Sequence, residues 1–180
     1  MGTAFPRLTT FILVAQGTIH DSREELLVPL LLENPNSLTE WVGRKIGVTS
    51  WWPITQDLIQ QFAEVTGDRQ WIHVDQDRAS RDSPFQTTIA HGFLTLSLLS
   101  RFIRQVVEIR SGVRMTVNYG LNRVRFPAPV CADCRIRGHF VLQSAKQAPG
   151  ALEAVFEVSV ETEGSAKPCC VAEWVVRYYS

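Results

Sequence analysis

The chain has 180 residues, which is enough for one domain with a buried core. Lysine plus arginine number 18 and aspartate plus glutamate also number 18, so no net charge favours nucleic acid or a membrane surface as a partner. No stretch is long and apolar enough to span a bilayer, and the apolar run at residues 10–15 is short for the core of a signal peptide. The sequence therefore predicts a cytoplasmic protein with no nucleic-acid or membrane partner.

The beginning of the chain predicts an extension that precedes the main domain. Residues 1–36 include a leucine-rich piece at residues 26–32, which predicts a helical or irregular extension of unknown role. Ser37 and Glu40 have the spacing of a capping box, in which two side chains satisfy the first free N–H groups of a helix. They predict a short helix, and residues 46–52 predict a strand after it.

The central part of the chain predicts two helices and a loop between them. Apolar residues with helical spacing lie between a capping Thr55 and a terminating Gly67: Leu58, Ile59, Phe62 and Val65. Residues 68–88 are polar, which predicts a functional loop with one short helix near residues 77–81. Residues 94–107 are apolar on nearly all sides at their start and predict a long buried helix.

The last third of the chain predicts antiparallel strands, because apolar and polar residues alternate there. The predicted strands are residues 113–119, 122–126, 135–142, 152–160 and 172–178, with turns at 148–150 and 164–168. One buried helix followed by a run of strands predicts an α+β fold in which a curved sheet wraps around the helix.

Asp68 and His73 are the candidate catalytic pair. A carboxylate and an imidazole together supply a base and an acid near neutral pH, and both lie just after a helix end. Spacing alone does not separate them from an unrelated surface acid and core histidine. Gly92 begins the next helix, where a free backbone N–H favours the developing negative charge of a thioester carbonyl, unless the glycine serves only close packing. His91 is interpreted as a packed, hydrogen-bonded supporting residue.

Metal and cofactor chemistry receive little support from the sequence. A metal site would use one set of side chains: His73, Asp75, Asp77 and His91. This set lacks the helical spacing typical of zinc ligands. Cys131 and Cys134 have the spacing of half a zinc site, but the adjacent Cys169 and Cys170 are spaced poorly for the other half. No serine-nucleophile elbow, phosphate loop or dinucleotide glycine motif is present. The sequence predicts no metal, no cofactor and structural thiols.

Four separated blocks agree in order with one enzyme family: residues 62–75, 85–98, 118–127 and 172–174. Through them, residues 38–179 resemble the MaoC-like, (R)-specific enoyl-CoA hydratases, and most closely their NodN-like branch. The broader family has Asn-Pro where this chain has Gln70-Trp71, a version that the NodN-like branch shares.

The resemblance implies a hot-dog fold at residues 37–180, working as a homodimer. It implies that Asp68 and His73 hold the water that adds to C3 of a trans-2-enoyl thioester. The backbone N–H of Gly92 is similar to the oxyanion donor of the family, and Ser100 matches a serine that supports the catalytic pair.

The function that the resemblance implies is that of a lyase, interconverting trans-2-enoyl-CoA and (R)-3-hydroxyacyl-CoA. The substrate is expected to be a thioester of CoA or of acyl carrier protein. One alternative is a thioesterase in which Asp68 activates water at the carbonyl carbon. Another is a non-catalytic acyl-binding module, against which the intact pair of Asp68 and His73 counts.

Overall fold

The computed structural model describes residues 28–180, so most of the predicted extension lies outside the described residues. The elements in chain order are β1 (Leu30–Leu32), a 3₁₀ helix (Pro35–Trp41), β2 (Lys45–Val48), β3 (Trp52–Ile54), α1 (Gln56–Thr66), α2 (Trp71–Val74), α3 (Gln76–Asp82), α4 (Gly92–Ser97), α5 (Leu99–Val106), β4 (Val107–Ile109), β5 (Met115–Arg125), β6 (Cys134–Ala148), β7 (Ala151–Thr162) and β8 (Cys170–Tyr179). The predicted α+β class is confirmed. Within the described residues, no helix has the length and apolar character needed to cross a lipid bilayer.

Six strands form one antiparallel sheet in the order β2, β6, β7, β8 and β5, with β3 also paired to β6. The long β6 and β7 are joined at residues 149–150, where Gly150 has a φ of 69°, a conformation that glycine adopts without strain. One face of this sheet is apolar and buried. Its fully covered members include Ile136, Phe140, Leu142, Phe156, Val158 and Val176.

Helix α5 packs on this apolar face through Leu99, Phe102 and Val106, which are all buried. Gly138 of β6 permits the close approach, because a Cβ at that position would stand 3.1 Å from the ring of Phe102. Burying a phenylalanine contributes about 1.5–3 kcal/mol to folding, so this contact is a principal anchor of the helix.

Three residues of the leucine-rich piece, Leu30–Leu32, form a strand that the sequence did not predict, whereas residues 28–29 are irregular as predicted. Strand β1 pairs in parallel with β4, and its Leu32 is buried. After it, the Glu33 carboxylate accepts a hydrogen bond of 2.8 Å from Arg110, 77 residues away in sequence. Because the partner strand is so distant, local pattern does not indicate this pairing.

The first short helix begins earlier than predicted. It is a 3₁₀ helix whose cap is Asn34, since the side chain of Asn34 accepts a hydrogen bond of 3.0 Å from the N–H of Asn36. Ser37 therefore lies inside the helix, and the predicted capping box is wrong. Asparagine followed by a proline at the first helical position is the local signal that decides the start.

Three predicted boundaries are also wrong. The strand predicted at residues 46–52 is two strands, β2 and β3, which both pair with β6. The long helix predicted at residues 94–107 is two adjoining helices, α4 and α5. The two strands predicted at residues 113–119 and 122–126 are one strand, β5, with register shifts on either side of Gly120. Bulges at those shifts bend the strand without ending it.

Local sequence signals correctly predicted two of the helices near the candidate site, α1 and α3. Thr55 caps α1 by accepting a hydrogen bond of 3.2 Å from the N–H of Leu58, and Gly67 ends α1 with a φ of 76°. The short helix near residues 77–81 is confirmed as α3. Helix α2, which carries His73, was not predicted.

Candidate active site

Asp68 directly follows Gly67, the residue that ends α1. Gly67 adopts the left-handed conformation that closes the helix, and this turn directs the chain away from the helix axis. The Asp68 side chain is 56% exposed, and its Oδ1 accepts a hydrogen bond of 3.4 Å from the N–H of Gln70. A carboxylate in this position is open to solvent and to a ligand.

His73 is buried on α2, five residues after Asp68, and its ring is fixed in one orientation. Its Nδ1 lies 2.6 Å from the carbonyl oxygen of Ile89. Because a carbonyl oxygen only accepts hydrogen bonds, Nδ1 must carry the proton of the neutral ring. Nε2 is then the unprotonated nitrogen and acts as a hydrogen-bond acceptor.

The backbone of His73 is also held, by a side chain that the sequence did not indicate. Gln56 donates a hydrogen bond of 2.8 Å from its Nε2 to the carbonyl oxygen of His73. The Oε1 of the same amide accepts a hydrogen bond from the hydroxyl of Thr88, which is 1% exposed. The start of α1, helix α2 and the segment before α4 are therefore connected through one partly buried amide.

His91 connects the two candidate catalytic residues. Its Nε2 lies 2.9 Å from the backbone carbonyl oxygen of Asp68, so this nitrogen is the donor. Its ring stacks on that of His73, with centroids 3.7 Å apart and planes 24° apart. Phe62 contacts the His91 ring at a centroid distance of 5.1 Å. His91 is thus packed and hydrogen-bonded, and its supporting role stays a prediction.

The pKa of His73 is lowered from its ordinary value of 6.5, and burial is the main cause. The hydrogen bond to Ile89 raises the pKa, the neighbouring His91 lowers it and the carboxylate of Asp68 raises it, but these effects do not overcome burial. His73 is therefore neutral at neutral pH, in keeping with the acceptor role of Nε2.

Gly92 begins α4 beside these residues and lines the same cavity, of about 340 Å³, as His73. The first N–H groups of a helix lack helical acceptors, and none of the described residues accepts from Gly92. Phe126 forms a wall against the glycine, because a Cβ at Gly92 would stand 2.9 Å from the Phe126 ring. Close packing is therefore one reason for a glycine at this position. It is compatible with the predicted role of the Gly92 N–H as an oxyanion donor.

With the site described, the comparison with known proteins identifies the family. Residues 37–164 match the family described as the MaoC like domain. The chain belongs to the MaoC-like family. It is 48% identical over 147 residues to 3-hydroxyacyl-thioester dehydratase Z of Mycobacterium tuberculosis, a match that covers 81% of this chain and 96% of the relative. It is 43% identical over 136 residues to nodulation protein N of Rhizobium leguminosarum, covering 74% and 84% of the two chains.

A solved structure confirms the predicted fold. The unliganded (R)-hydratase of Pseudomonas aeruginosa matches this MaoC-like chain with a TM-score of 0.60 at 24% identity, over 77% of this chain and 82% of that one. The chain has the hot-dog fold, with its sheet packed around the α4–α5 helices. The NodN-like resemblance is confirmed, and the predicted lyase class is confirmed as well, since dehydratases are lyases.

Ser100 is not brought together with His73 in this chain. It lies on α5 and lines a different cavity, of about 310 Å³, together with Arg104, Asn118 and Trp174. The indole N–H of Trp174 donates a hydrogen bond of 2.6 Å to Asn118 in that cavity. The supporting role of Ser100, which the family resemblance implied, stays a prediction.

The geometry also bears on the metal alternative. One potential ligand atom from each of Asp68, His73 and His91 lies within 4.8 Å of the others. However, the rings of His73 and His91 are stacked, so their in-plane lone pairs lie in two separate, nearly parallel planes and do not converge on one ion. Asp75 is already engaged, because its side chain caps α3 with a hydrogen bond of 2.9 Å from the N–H of Arg78.

The cysteines fit the prediction of structural thiols. Cys131 is hydrogen-bonded to Cys134, and its pKa is raised, mainly by burial. Cys169 donates a hydrogen bond of 3.3 Å to a backbone carbonyl, and burial raises the pKa of Cys170 to about 12. Thiols with raised pKa are poor nucleophiles and poor metal ligands.

Proposed function

We propose that the chain adds water to trans-2-enoyl thioesters to form (R)-3-hydroxyacyl thioesters and catalyses the reverse dehydration. One observation carries the proposal: a carboxylate oxygen of Asp68 and a ring nitrogen of His73 lie within 4.8 Å of each other, and His73 lines one cavity with Gly92. Two acceptors and one donor suit the addition of water to a double bond that is conjugated with a carbonyl. The name of the mycobacterial relative, a 3-hydroxyacyl-thioester dehydratase, agrees with this chemistry.

In the proposed hydration, one water molecule donates one hydrogen bond to Asp68 and one to Nε2 of His73. A water that donates twice holds its acceptors roughly 4.5 Å apart. A carboxylate oxygen of Asp68 and a ring nitrogen of His73 lie within 4.8 Å of each other, which leaves the two side chains close enough to share one water. Its lone pair is then free to face C3 of the substrate. Asp68 and His73 would thus orient the nucleophile before any proton moves.

The bonding changes balance within the site. The water oxygen forms a bond to C3 while one of its protons passes to Asp68 or His73. The π electrons of the C2–C3 bond move toward the thioester oxygen, whose negative charge accepts a hydrogen bond from the N–H of Gly92. The enolate then takes the proton back at C2. The reverse sequence eliminates water from the 3-hydroxyacyl thioester.

The test is an assay series with enoyl-CoA thioesters of increasing chain length, followed by loss of the conjugated absorbance. The same acyl groups on acyl carrier protein would identify the preferred carrier. We expect hydration without release of free thiol, and a product of (R) configuration by chiral chromatography. Release of thiol without loss of unsaturation would instead establish the thioesterase alternative, and Asp68→Asn is the matched inactive control.

We also propose that the enzyme works as a homodimer in which a second copy covers β5. This strand pairs with β8 on one side, and none of the described residues pairs with its other side. Met115, Tyr119 and Leu121 on this strand are 46%, 54% and 40% exposed, and an unpaired apolar edge is a ready surface for pairing with another chain. Light scattering should give the mass of two chains, and Leu121→Lys should shift the mass toward one chain.

A further inference from the structure

His91 makes two contacts that reach both catalytic groups. Through Nε2 it donates to the backbone carbonyl of Asp68 at 2.9 Å, and through its ring face it contacts the ring of His73 at 3.7 Å. Phe62 supports the His91 ring from a neighbouring helix, at a centroid distance of 5.1 Å. The position of His91 is in turn fixed at the start of α4, where its carbonyl accepts from Leu94.

The two contacts constrain different degrees of freedom. The hydrogen bond of His73 to Ile89 sets the direction of the His73 ring within its plane, but leaves the tilt of that plane undetermined. The stacked ring of His91 sets the tilt. The hydrogen bond to Asp68 fixes the backbone just after Gly67, where no regular element holds the chain. Together they fix the spacing between the carboxylate and Nε2 of His73.

The remaining nitrogen of His91 argues against a role in proton transfer. Nδ1 is buried, the residue is only 4% exposed, and this atom has no hydrogen-bond partner among the described residues. A proton shuttle needs a neighbour that delivers or receives the proton, and a protonated Nδ1 would be a buried donor without an acceptor.

We infer that His91 is a positioning residue that sets the geometry between Asp68 and His73 without exchanging a proton itself. The inference rests on the proposed function for its effect on rate, but its geometric part does not depend on turnover. The titratable neighbours that face His73 are His91 and Asp68. His91 is therefore expected to lower the pKa of His73 as well as to hold its ring in place.

Three substitutions separate the two contacts. His91→Phe keeps the aromatic face and removes the hydrogen bond to Asp68. His91→Gln keeps a donor at a similar reach and removes the ring. His91→Ala removes both, so kcat should fall roughly 10- to 100-fold in the alanine variant and less in the other two, with KM little changed. In an Asp68→Asn background, His91→Phe should cost less than it does alone, because one of the groups it acts through is gone.

The second readout is the pKa of His73, measured by NMR titration of its ring. Removing His91 removes a neighbour that lowers this pKa, so the pKa should rise in His91→Phe and rise more in His91→Ala, where water also enters. His139→Phe is the matched control, since His139 lies on β6 beside Glu161 and outside this cluster. It should change neither kcat nor the pKa of His73.

The outcomes separate the inference from the proposed function. If the wild-type protein hydrates no enoyl thioester but the His73 titration moves as stated, the proposed function fails and the positioning role stands. If the wild type is active and the three variants keep kcat within about twofold, the inference is overturned. A fall in kcat that tracks loss of melting temperature, with the His73 titration unchanged, also overturns it, because that pattern indicates a merely structural role.

Discussion

The two cavities of this domain differ in how their polar groups are held. His73 lines the cavity at the start of α4, with His91 and Asp68 close beside it, and backbone carbonyls fix both imidazoles. The cavity that contains Ser100 is lined mainly by apolar side chains, and its internal hydrogen bond joins Trp174 to Asn118. The difference teaches that pre-oriented titratable groups, rather than cavity size, distinguish the proposed active site, because the two cavity volumes are nearly equal, about 340 and 310 Å³.

The largest effect is expected from the catalytic pair. Asp68→Asn keeps the shape of the side chain and removes a proton acceptor, so turnover should fall about 10²–10⁴-fold, and His73→Ala should be similarly severe. The double variant should lose far less than the product of the two losses, because both groups act on one water molecule. Steady-state kinetics with melting temperatures checks this. Near-normal turnover of either single variant would remove that residue from the mechanism.

The next effect concerns Gly92, and the structure supplies its control. Gly92→Pro removes the N–H, proline is tolerated in a first helical turn, and the extended conformation of His91 suits a following proline. Loss of one oxyanion donor should reduce turnover about 10²–10³-fold. Gly92→Ala keeps the N–H but meets the same Phe126 ring, so it measures the crowding alone. Equal losses in both variants would place the oxyanion donor elsewhere.

A smaller and reversible effect should follow pH. Protonation of His73 places a proton on Nε2, which can then no longer accept a hydrogen bond from water. We therefore expect kcat/KM to fall as the pH is lowered. Since burial holds the pKa of His73 below 6.5, the midpoint of that fall should lie below 6.5 as well. The pH profile of kcat/KM reports the free enzyme and is the measurement. Activity that increases as His73 becomes protonated would reverse the assigned role.

The smallest effect is expected at the second cavity. Ser100 is exposed and makes no contact with His73 within one chain, so Ser100→Ala should change turnover by only about twofold, as surface substitutions usually do. The size of this change in turnover shows whether the cavity that contains Ser100 takes part in catalysis. A loss as large as that of His73→Ala would show that the serine acts on the catalytic pair, in line with the family resemblance, through an arrangement absent from the single chain.

The sequence predicted the features of the site that depend on neighbouring residues. Thr55 and Gly67 are local signals, and they delimit the helix that delivers Asp68. Asp68 and His73 are close in sequence, so a short turn brings them together. The start of α4 at Gly92 was likewise visible, because it follows a polar segment and precedes an apolar one.

The features that were missed depend on residues far apart in the chain. Gln56 is hydrogen-bonded to the backbone of His73, 17 residues away in sequence, and to Thr88, 32 residues away. A single glutamine in a sequence does not indicate such distant partners. The tautomer of His73 depends on Ile89, 16 residues away. The role of Ser100 was inferred from its position in the family's sequence pattern. Such a pattern gives the position of a residue in the sequence but does not show which residues surround it in the structure.

Strand β1 has a consequence for where this protein begins as an autonomous folding unit. The match to the MaoC like domain starts at residue 37, yet Leu32 belongs to the core and Glu33 is bonded to Arg110. A chain shortened to residue 37 would lose the burial of Leu32, worth about 1.5–3 kcal/mol, and leave β4 unpaired. A chain that starts near residue 28 keeps both. The family match and the buried core of the domain therefore begin at different residues.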